Sequence, residues 1–377
     1  MTMRLFIFLF TALMVAACTR EKSAENGYII EGRISGVPDS TQVTLVDINS
    51  VNINKTIVRD SSFRLTGHFA QTEPEQLMLI LRTPQHMYHT SLIIGNNQIT
   101  ITGDVGDFPN DLTISGSPYR EDQKKLENVT RDLKSRRDSL ISSYVKLSGD
   151  QKKRQKDNIL VQIDKLDRAI TTRTKNYIKT HLDNYPALIR LSTTPELIPG
   201  DSLKVAFAGI RPGLRASKYG KVIETYLNEG FLNAGDNYFD FSAREKSGGE
   251  VKFSSYLDGQ RYILLDFTST YCPPCVMAAA ELRKINKKYS DKIRVVSFTT
   301  DVQEKRWQTF IERDSVSWVS LWDGRGRFGE TVTRYGIPGV PTFFLIDPAG
   351  KIIDKQVGYE EGLLTEKLLE HKIIAAQ

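Results

Sequence analysis

The sequence predicts a multidomain chain: an N-terminal all-β sandwich, a central α-helical arm and a C-terminal α/β domain. Three observations predict this order. Short extended runs punctuated by Gly, Asn, Asp and Pro fill residues 28–117. Apolar residues then recur at helical spacing through much of 118–232. From residue 237 onward, an apolar strand-like run passes directly into Cys-x-x-Cys and a segment of helical composition. A length of 377 residues fits two or three domains at roughly 150 residues each. With 40% hydrophobic and 25% charged residues, collagen-like, wholly disordered and multi-span membrane classes are excluded. Only three cysteines, Cys18, Cys272 and Cys275, are present, which excludes a disulfide-scaffolded mini-protein.

The N-terminus reads as an address. Met1 to Arg4 is a short basic start, and residues 5–17 are apolar apart from Thr11. That run falls short of the roughly 20 residues a spanning helix needs, and the layout is that of a secretory signal peptide. It ends Val15-Ala16-Ala17-Cys18, which resembles the bacterial lipobox, where the Cys thiol is diacylated and the chain is cut before it. Residues 1–17 are therefore expected to be a lipoprotein signal peptide, Cys18 the lipidation site, and 18–27 a polar tether. Two acyl chains anchor stably where one is marginal. A secreted protein with an incidental Cys is the alternative.

Strands are predicted at 28–30, 43–46, 63–65, 77–81, 92–94, 99–101 and 112–114, giving an antiparallel sandwich or small barrel over 28–117. His86 and His89 flank Met87 in a pattern that would suit copper, but Pro84-Gln85 places them in a loop, and no metal site is assigned.

At Ser117-Pro118 the character changes. Leu126, Val129, Leu133, Leu140, Tyr144 and Leu147 form one helical stripe; Ile159, Ile163, Leu166, Ile170 and Tyr177 form another after a break at Ser148-Gly149-Asp150. Two long amphipathic helices in a hairpin are expected, followed by shorter helical pieces to residue 232. From Arg120 to Lys179 there are 17 Lys/Arg against 9 Asp/Glu, a net +8. The arm thus exceeds the +6 of the whole chain. A basic helical face can contact anionic lipid or nucleic acid, although most such faces are simply solvated. An exported chain rarely meets nucleic acid, so no nucleic-acid partner is expected. Scaffold, spacer and homodimer contact remain open for the arm.

The polar stretch 233–249 marks the last boundary. The apolar run Arg261 to Phe267 suits a buried central strand. It leads through Thr268 to Tyr271 into Cys272-Pro273-Pro274-Cys275 and then helical composition from Val276 to Tyr289. Cys-x-x-Cys at a strand-to-helix junction reads as a redox dithiol. The helix N-terminus favours an anion at Cys272, the thiolate is the attacking species, and Cys275 one turn on can resolve a mixed disulfide. Half of a zinc site is the other reading, but zinc usually needs four ligands and His371 is the single His in this region.

These residues resemble thioredoxin, and specifically the exported, membrane-tethered TlpA/ResA-like group. Asp266, six residues before Cys272, matches the buried acid that thioredoxins use to deprotonate the second cysteine. Tyr335-Gly336-Ile337-Pro338-Gly339-Val340-Pro341-Thr342-Phe343-Phe344 matches the segment carrying the cis-proline. The resemblance implies a cis Pro341 facing the Cys pair and a Val340 backbone that receives substrate. The insertion spanning 293–322 and the close at 344–353 fit the same group. It covers about residues 237–377. Tyr271 replaces a tryptophan common before the first Cys, and Thr268 replaces a further aromatic, so substrate preference is open. The upstream regions look, more loosely, like those fused to such thioredoxins in Bacteroidetes lipoproteins.

The resemblance implies a lipid-anchored thiol:disulfide oxidoreductase of the cell envelope, facing the periplasm. Cys272 attacks a substrate disulfide, Cys275 resolves, Asp266 accepts a proton, and Tyr271, Val340 and Pro341 meet the substrate protein. No cofactor beyond a Cys272–Cys275 redox disulfide is expected, and a membrane electron donor would restore the dithiol. Prolines at both positions between the cysteines tilt the reading toward reduction. An oxidase or isomerase, or an envelope binding module that docks partners through the same fold, are the alternatives.

Overall fold

In the computed structural model, residues 27–375 are described; the expected signal peptide, and Cys18 with most of its expected tether, lie outside them. The N-terminal region contains β1 (Tyr28–Ser35), β2 (Gln42–Asp47), β3 (Asn52–Ile57), β4 (Ser62–Gly67), β5 (Glu75–Arg82), β6 (Met87–Ile94), β7 (Gln98–Asp104) and β8 (Thr113–Ser115). They form two four-stranded sheets, in the orders β4-β1-β7-β8 and β3-β2-β5-β6. Alternation buries one face of each strand: Tyr28, Ile30 and Ile34 from one sheet, with Val43, Leu45, Leu79 and Leu81 from the other, fill the space between them.

Three details differ from the sequence expectation. β3 is an additional edge strand. Its sequence Asn-Ile-Asn-Lys-Thr-Ile leaves every residue at least partly exposed, so it carries no buried alternation to betray it. β1 pairs with β7 in parallel, which makes that sheet mixed. His89 lies within β6, opposite Ile80, while His86 precedes the strand.

Seven helices follow: α1 (Arg120–Asn128), α2 (Arg131–Lys146), α3 (Gly149–His181), α4 (Tyr185–Ser192), α5 (Gly200–Ala208), α6 (Pro212–Ala216) and α7 (Lys218–Glu229). The first expected long helix is divided between α1 and α2. Val129 and Thr130 are a β-branched pair with low helix propensity, and buried Thr130 leaves helical geometry at φ −128°, ψ 7°. α2 and α3 form the hairpin, tied by Arg137–Asp167 at 3.2 Å and Arg173–Asp132 at 2.6 Å. Helices α4 to α7 share a core of Leu188, Leu203, Phe207, Tyr219 and Ile223, joined by Ile93 of β6. The Lys218 ammonium meets Glu75 at 2.6 Å, and the Tyr219 hydroxyl donates to the Pro74 carbonyl at 2.9 Å. The β region is thereby fastened to the helices.

The C-terminal region contains β9 (Ser242–Glu245), β10 (Glu250–Lys252), β11 (Tyr262–Thr268), α8 (Pro273–Lys288), β12 (Ile293–Thr299), α9 (Glu304–Arg313), β13 (Val319–Trp322), α10 (Glu330–Arg334), β14 (Thr342–Ile346), β15 (Ile352–Val357) and α11 (Leu363–Glu370). One sheet orders them β10-β9-β13-β12-β11-β14-β15. The polar stretch 233–249 is more than a boundary: Phe241 and Ala243 are buried, and β9 pairs with β13. β11 runs parallel to β12 and antiparallel to β14. On one side of the sheet, Ile263, Leu265 and Phe267 pack with Phe298, Tyr335 and Phe344. On the other, Leu264 packs with Ala278, Leu282 and Ile285 of α8 and with Trp307 and Phe310 of α9. By the two-residue period of a strand, Asp266 shares the α8 face with Leu264. Among the described residues, no helix is long and apolar enough to cross a membrane.

Candidate active site

The site is built where β11 hands the chain to α8. Cys272 is the N-cap of α8, with φ −101° and ψ 106°, and Pro273 opens the helix, where its missing N–H removes no helical bond. Ala278, Ala279, Leu282 and Ile285 then bury one face of α8. Cys272 and Cys275 are joined as a disulfide, and the Cys275 N–H points at Cys272 Sγ from 3.2 Å. The two sulfurs are not equivalent. Cys272 is partly exposed, whereas Cys275 is buried. Attack from solvent therefore falls on or from Cys272.

The Val340–Pro341 bond is cis, and the Val340 carbonyl oxygen lies 3.5 Å from Cys272 Sγ. Tyr271, 62% exposed, stands beside the disulfide, and Val276 and Met277 of α8 are also exposed. The structure thus brings Tyr271, Cys272, Cys275, Val340 and Pro341 together at one end of the sheet.

Asp266 lies beneath this surface and is fully enclosed. Its Oδ2 accepts from the Ser297 hydroxyl at 2.8 Å, and Oδ1 has no partner. Burial pushes its carboxyl up to about 7, the Ser297 hydrogen bond opposing that and the Asp314 carboxylate adding a smaller push. A carboxyl with that value can exchange a proton near neutral pH.

Several residues of the site escaped sequence reasoning. Ser297 sits opposite Asp266 in the β11–β12 register and accepts from Trp318 Nε1 at 2.9 Å. The signal was a lone polar residue inside the apolar run Val295-Val296-Ser297-Phe298. Asp301, fully buried, accepts from the Thr270 N–H and hydroxyl at 2.8 Å each and from the Ser269 hydroxyl at 3.2 Å. Arg313 donates to the Thr270 carbonyl at 2.5 Å, and Arg306 covers the Tyr271 ring at 4.7 Å. No local pattern marks these three, because each acts across the chain. Among the described residues, no cluster of three or more His, Cys, Asp or Glu could hold a metal ion.

Residues 233–373 match the family model described as Redoxin, and residues 28–123 match a domain of unknown function, DUF4369. The chain is 30% identical over 146 residues to the thioredoxin-like protein YneN of Bacillus subtilis, covering 38% of this chain and 79% of that protein. It is 24% identical over 146 residues to the thiol-disulfide oxidoreductase ResA of Halalkalibacterium halodurans, covering 38% and 80%. A solved thiol-disulfide oxidoreductase from Bacteroides fragilis is 31% identical, with coverage of 36% of this chain and 99% of that one and a TM-score of 0.33. With a strand-to-helix Cys pair, a cis-proline loop against it and these relatives, the chain belongs to the TlpA/ResA-like thioredoxin family and is a thiol–disulfide oxidoreductase.

Proposed function

We propose that the protein is a lipid-anchored enzyme of the cell envelope that reduces disulfides of substrate proteins. The observation that carries the chemistry is the asymmetry of the pair: Cys272 accessible at the helix N-cap, and Cys275 buried on the helix that covers Asp266. In the dithiol form, the Cys272 thiolate attacks one sulfur of the substrate disulfide. A mixed disulfide forms, the substrate S–S bond breaks, and the departing thiolate takes up a proton. Cys275 then gives its proton to the Asp266 carboxylate and attacks Cys272 Sγ. The second substrate thiol leaves, and the enzyme holds the disulfide. Two electrons have passed to substrate, and a membrane electron donor returns them.

The N-terminal pattern ending at Cys18 supports the anchor and the extracytoplasmic location, and Pro273 and Pro274 support the reducing direction. The test is the redox potential of the Cys272–Cys275 couple against glutathione, combined with insulin reduction. A strongly reducing couple with turnover that Cys272→Ser abolishes is expected. An oxidising couple would reverse the direction. No turnover either way, with Cys272→Ser matching wild type, would leave only a docking role. Cys18→Ala should lose membrane fractionation; unchanged fractionation refutes the anchor.

A further inference from the structure

The β2–β3 turn of the N-terminal sandwich reaches the active site. It is shaped by Asp47, whose Oδ1 accepts from the Asn49 and Val51 N–H groups at 2.9 and 2.7 Å, and Ser50 takes a left-handed φ of 59°. This geometry turns the Asn49 and Ser50 carbonyls outward onto Arg306. Arg306 Nη1 donates to Asn49 O at 3.2 Å, and Nη2 donates to Ser50 O at 2.6 Å. Buried at 8% exposure, the same guanidinium lies 3.6 Å from Asp301 and covers the Tyr271 ring at 4.7 Å. The Arg306 carbonyl oxygen lies 2.7 Å from the Thr270 hydroxyl, whose single proton it shares with Asp301. One side chain therefore ties the turn to the residue before Cys272 and to the carboxylate that holds Thr270.

The opposite wall of the site is tied to the same turn. Asn49 Oδ1 accepts from the Arg327 N–H at 3.0 Å, and Arg327 Nη2 donates to the Pro338 carbonyl in the cis-proline loop at 3.1 Å. Gly326 lies so close that a Cβ there would meet Asn49 Oδ1 at 2.7 Å. Two independent contacts thus run from five residues of the sandwich to both loops that flank the disulfide.

We propose that the 47–51 turn braces the two active-site loops from outside, touching neither cysteine, and that Arg306 is a positioning residue through which the sandwich sets Tyr271 and the affinity for protein disulfides. The inference rests on reading Tyr271 and the Val340–Pro341 loop as the rim that meets substrate. If the turn withdrew, Arg306 would lose two carbonyl acceptors while still buried. Leaving such donors unpaired is unfavourable, so the guanidinium would move and release the Tyr271 ring.

The test uses the full chain with Asp47→Ala, Arg306→Ala, Arg306→Lys and the Asp47→Ala/Arg306→Ala double variant. Insulin is the protein disulfide, with dithiothreitol as reductant. Hydrogen exchange is followed over residues 268–272 and 336–341. Asp47→Ala should raise KM for insulin about fivefold, equivalent to roughly 1 kcal/mol. Its dithiol form should react with a small aromatic disulfide at the wild-type rate. Exchange should rise in both loops. Arg306→Ala should raise KM at least as far, and the double variant by less than the sum of the two single effects, because the Arg306 route is shared while the Arg327 route is cut only by Asp47→Ala. Arg306→Lys should not restore KM, since one ammonium cannot bridge two carbonyls and cover a ring. Unchanged KM and unchanged exchange in Asp47→Ala would overturn the proposal, even if Arg306→Ala alone were impaired. If wild type reduced neither insulin nor the small disulfide, the oxidoreductase reading would fail instead, and the exchange data would still decide the coupling.

Discussion

Replacing Asp266 by Asn keeps the shape of the side chain and removes its titration. In the folded disulfide form, burial holds this carboxyl at about 7, against the 3.8 of a freely exposed aspartate. Below about pH 4, both folded and unfolded chains are protonated there, and the group is neutral to stability. Between about 4 and 7 the unfolded chain releases the proton while the folded chain keeps it. Stability then falls as pH rises, by about 1.4 kcal/mol per pH unit, and the decline levels off above 7. The loss by pH 8 is on the order of 4 kcal/mol for a rise from 3.8 to about 7. Asp266→Asn has no such decline. Its stability relative to wild type should therefore improve by that amount between pH 4 and pH 8. Any fixed penalty for burying the amide cancels in the comparison. The probe is intrinsic tryptophan fluorescence during urea unfolding of the oxidised protein. Trp307, Trp318 and Trp322 are all the tryptophans in the chain, and all belong to the sheet that contains Asp266 or pack on it. A wild-type-to-variant difference that stays within about 1 kcal/mol across this range would refute the perturbed carboxyl.

Ser297→Ala removes the hydrogen bond that holds the Asp266 value down, so the midpoint of the pH-dependent resolving step should move above the wild-type value; rapid-quench trapping of the mixed disulfide from pH 5.5 to 9 reads it. Phe267→Ala, at a side chain with no exposure packed on Phe298, Tyr335 and Phe344, should destabilise the C-terminal sheet by about 3–5 kcal/mol, measured by the same fluorescence. Lys218→Ala leaves Glu75 half-buried without its ammonium, in a place where burial already raises its carboxyl. A loss of about 3 kcal/mol is expected at neutral pH, shrinking as pH falls and Glu75 protonates, with limited proteolysis between the sandwich and α7 as the readout.

What was legible in the sequence is what repeats or lies contiguous. Short extended runs between turn residues exposed seven of the eight N-terminal strands, and missed only β3, whose polar edge buries nothing. Helical spacing found the α2–α3 hairpin but ran through Val129 and Thr130, because Leu126 and Leu133, on either side of the bend, still fall at a seven-residue step. The Cys pair, Asp266 and the Pro341 loop were visible because a strand, a helix start and a tight loop each leave a local signature. The polar look of 233–249 concealed β9, since Ser242 to Glu245 is a short strand with one buried alanine. Asp301, Arg306 and Arg327 left no mark at all. Each is a common charged residue whose partner lies on a different element.

Those silent residues share a geometric logic. β12 runs parallel to β11 in a register that sets Ser297 beside Asp266 and Thr299 beside Thr268. The chain leaving β12 must therefore pass the loop leaving β11, and Asp301 is the first carboxylate it carries past the sheet edge. There it accepts from the Thr270 N–H, which would otherwise be a buried donor without a partner. A carboxylate so placed calls for a cation, and Arg306, at the start of α9, approaches it to 3.6 Å. Asp301 alone leaves most of the five guanidinium donors unfilled, and the carbonyls of the 47–51 turn take two of them. The need to satisfy one buried N–H beside the dithiol thus propagates, one hydrogen bond at a time, to a turn some 250 residues away in sequence, and gives the sandwich a physical route into the chemistry of the Cys pair.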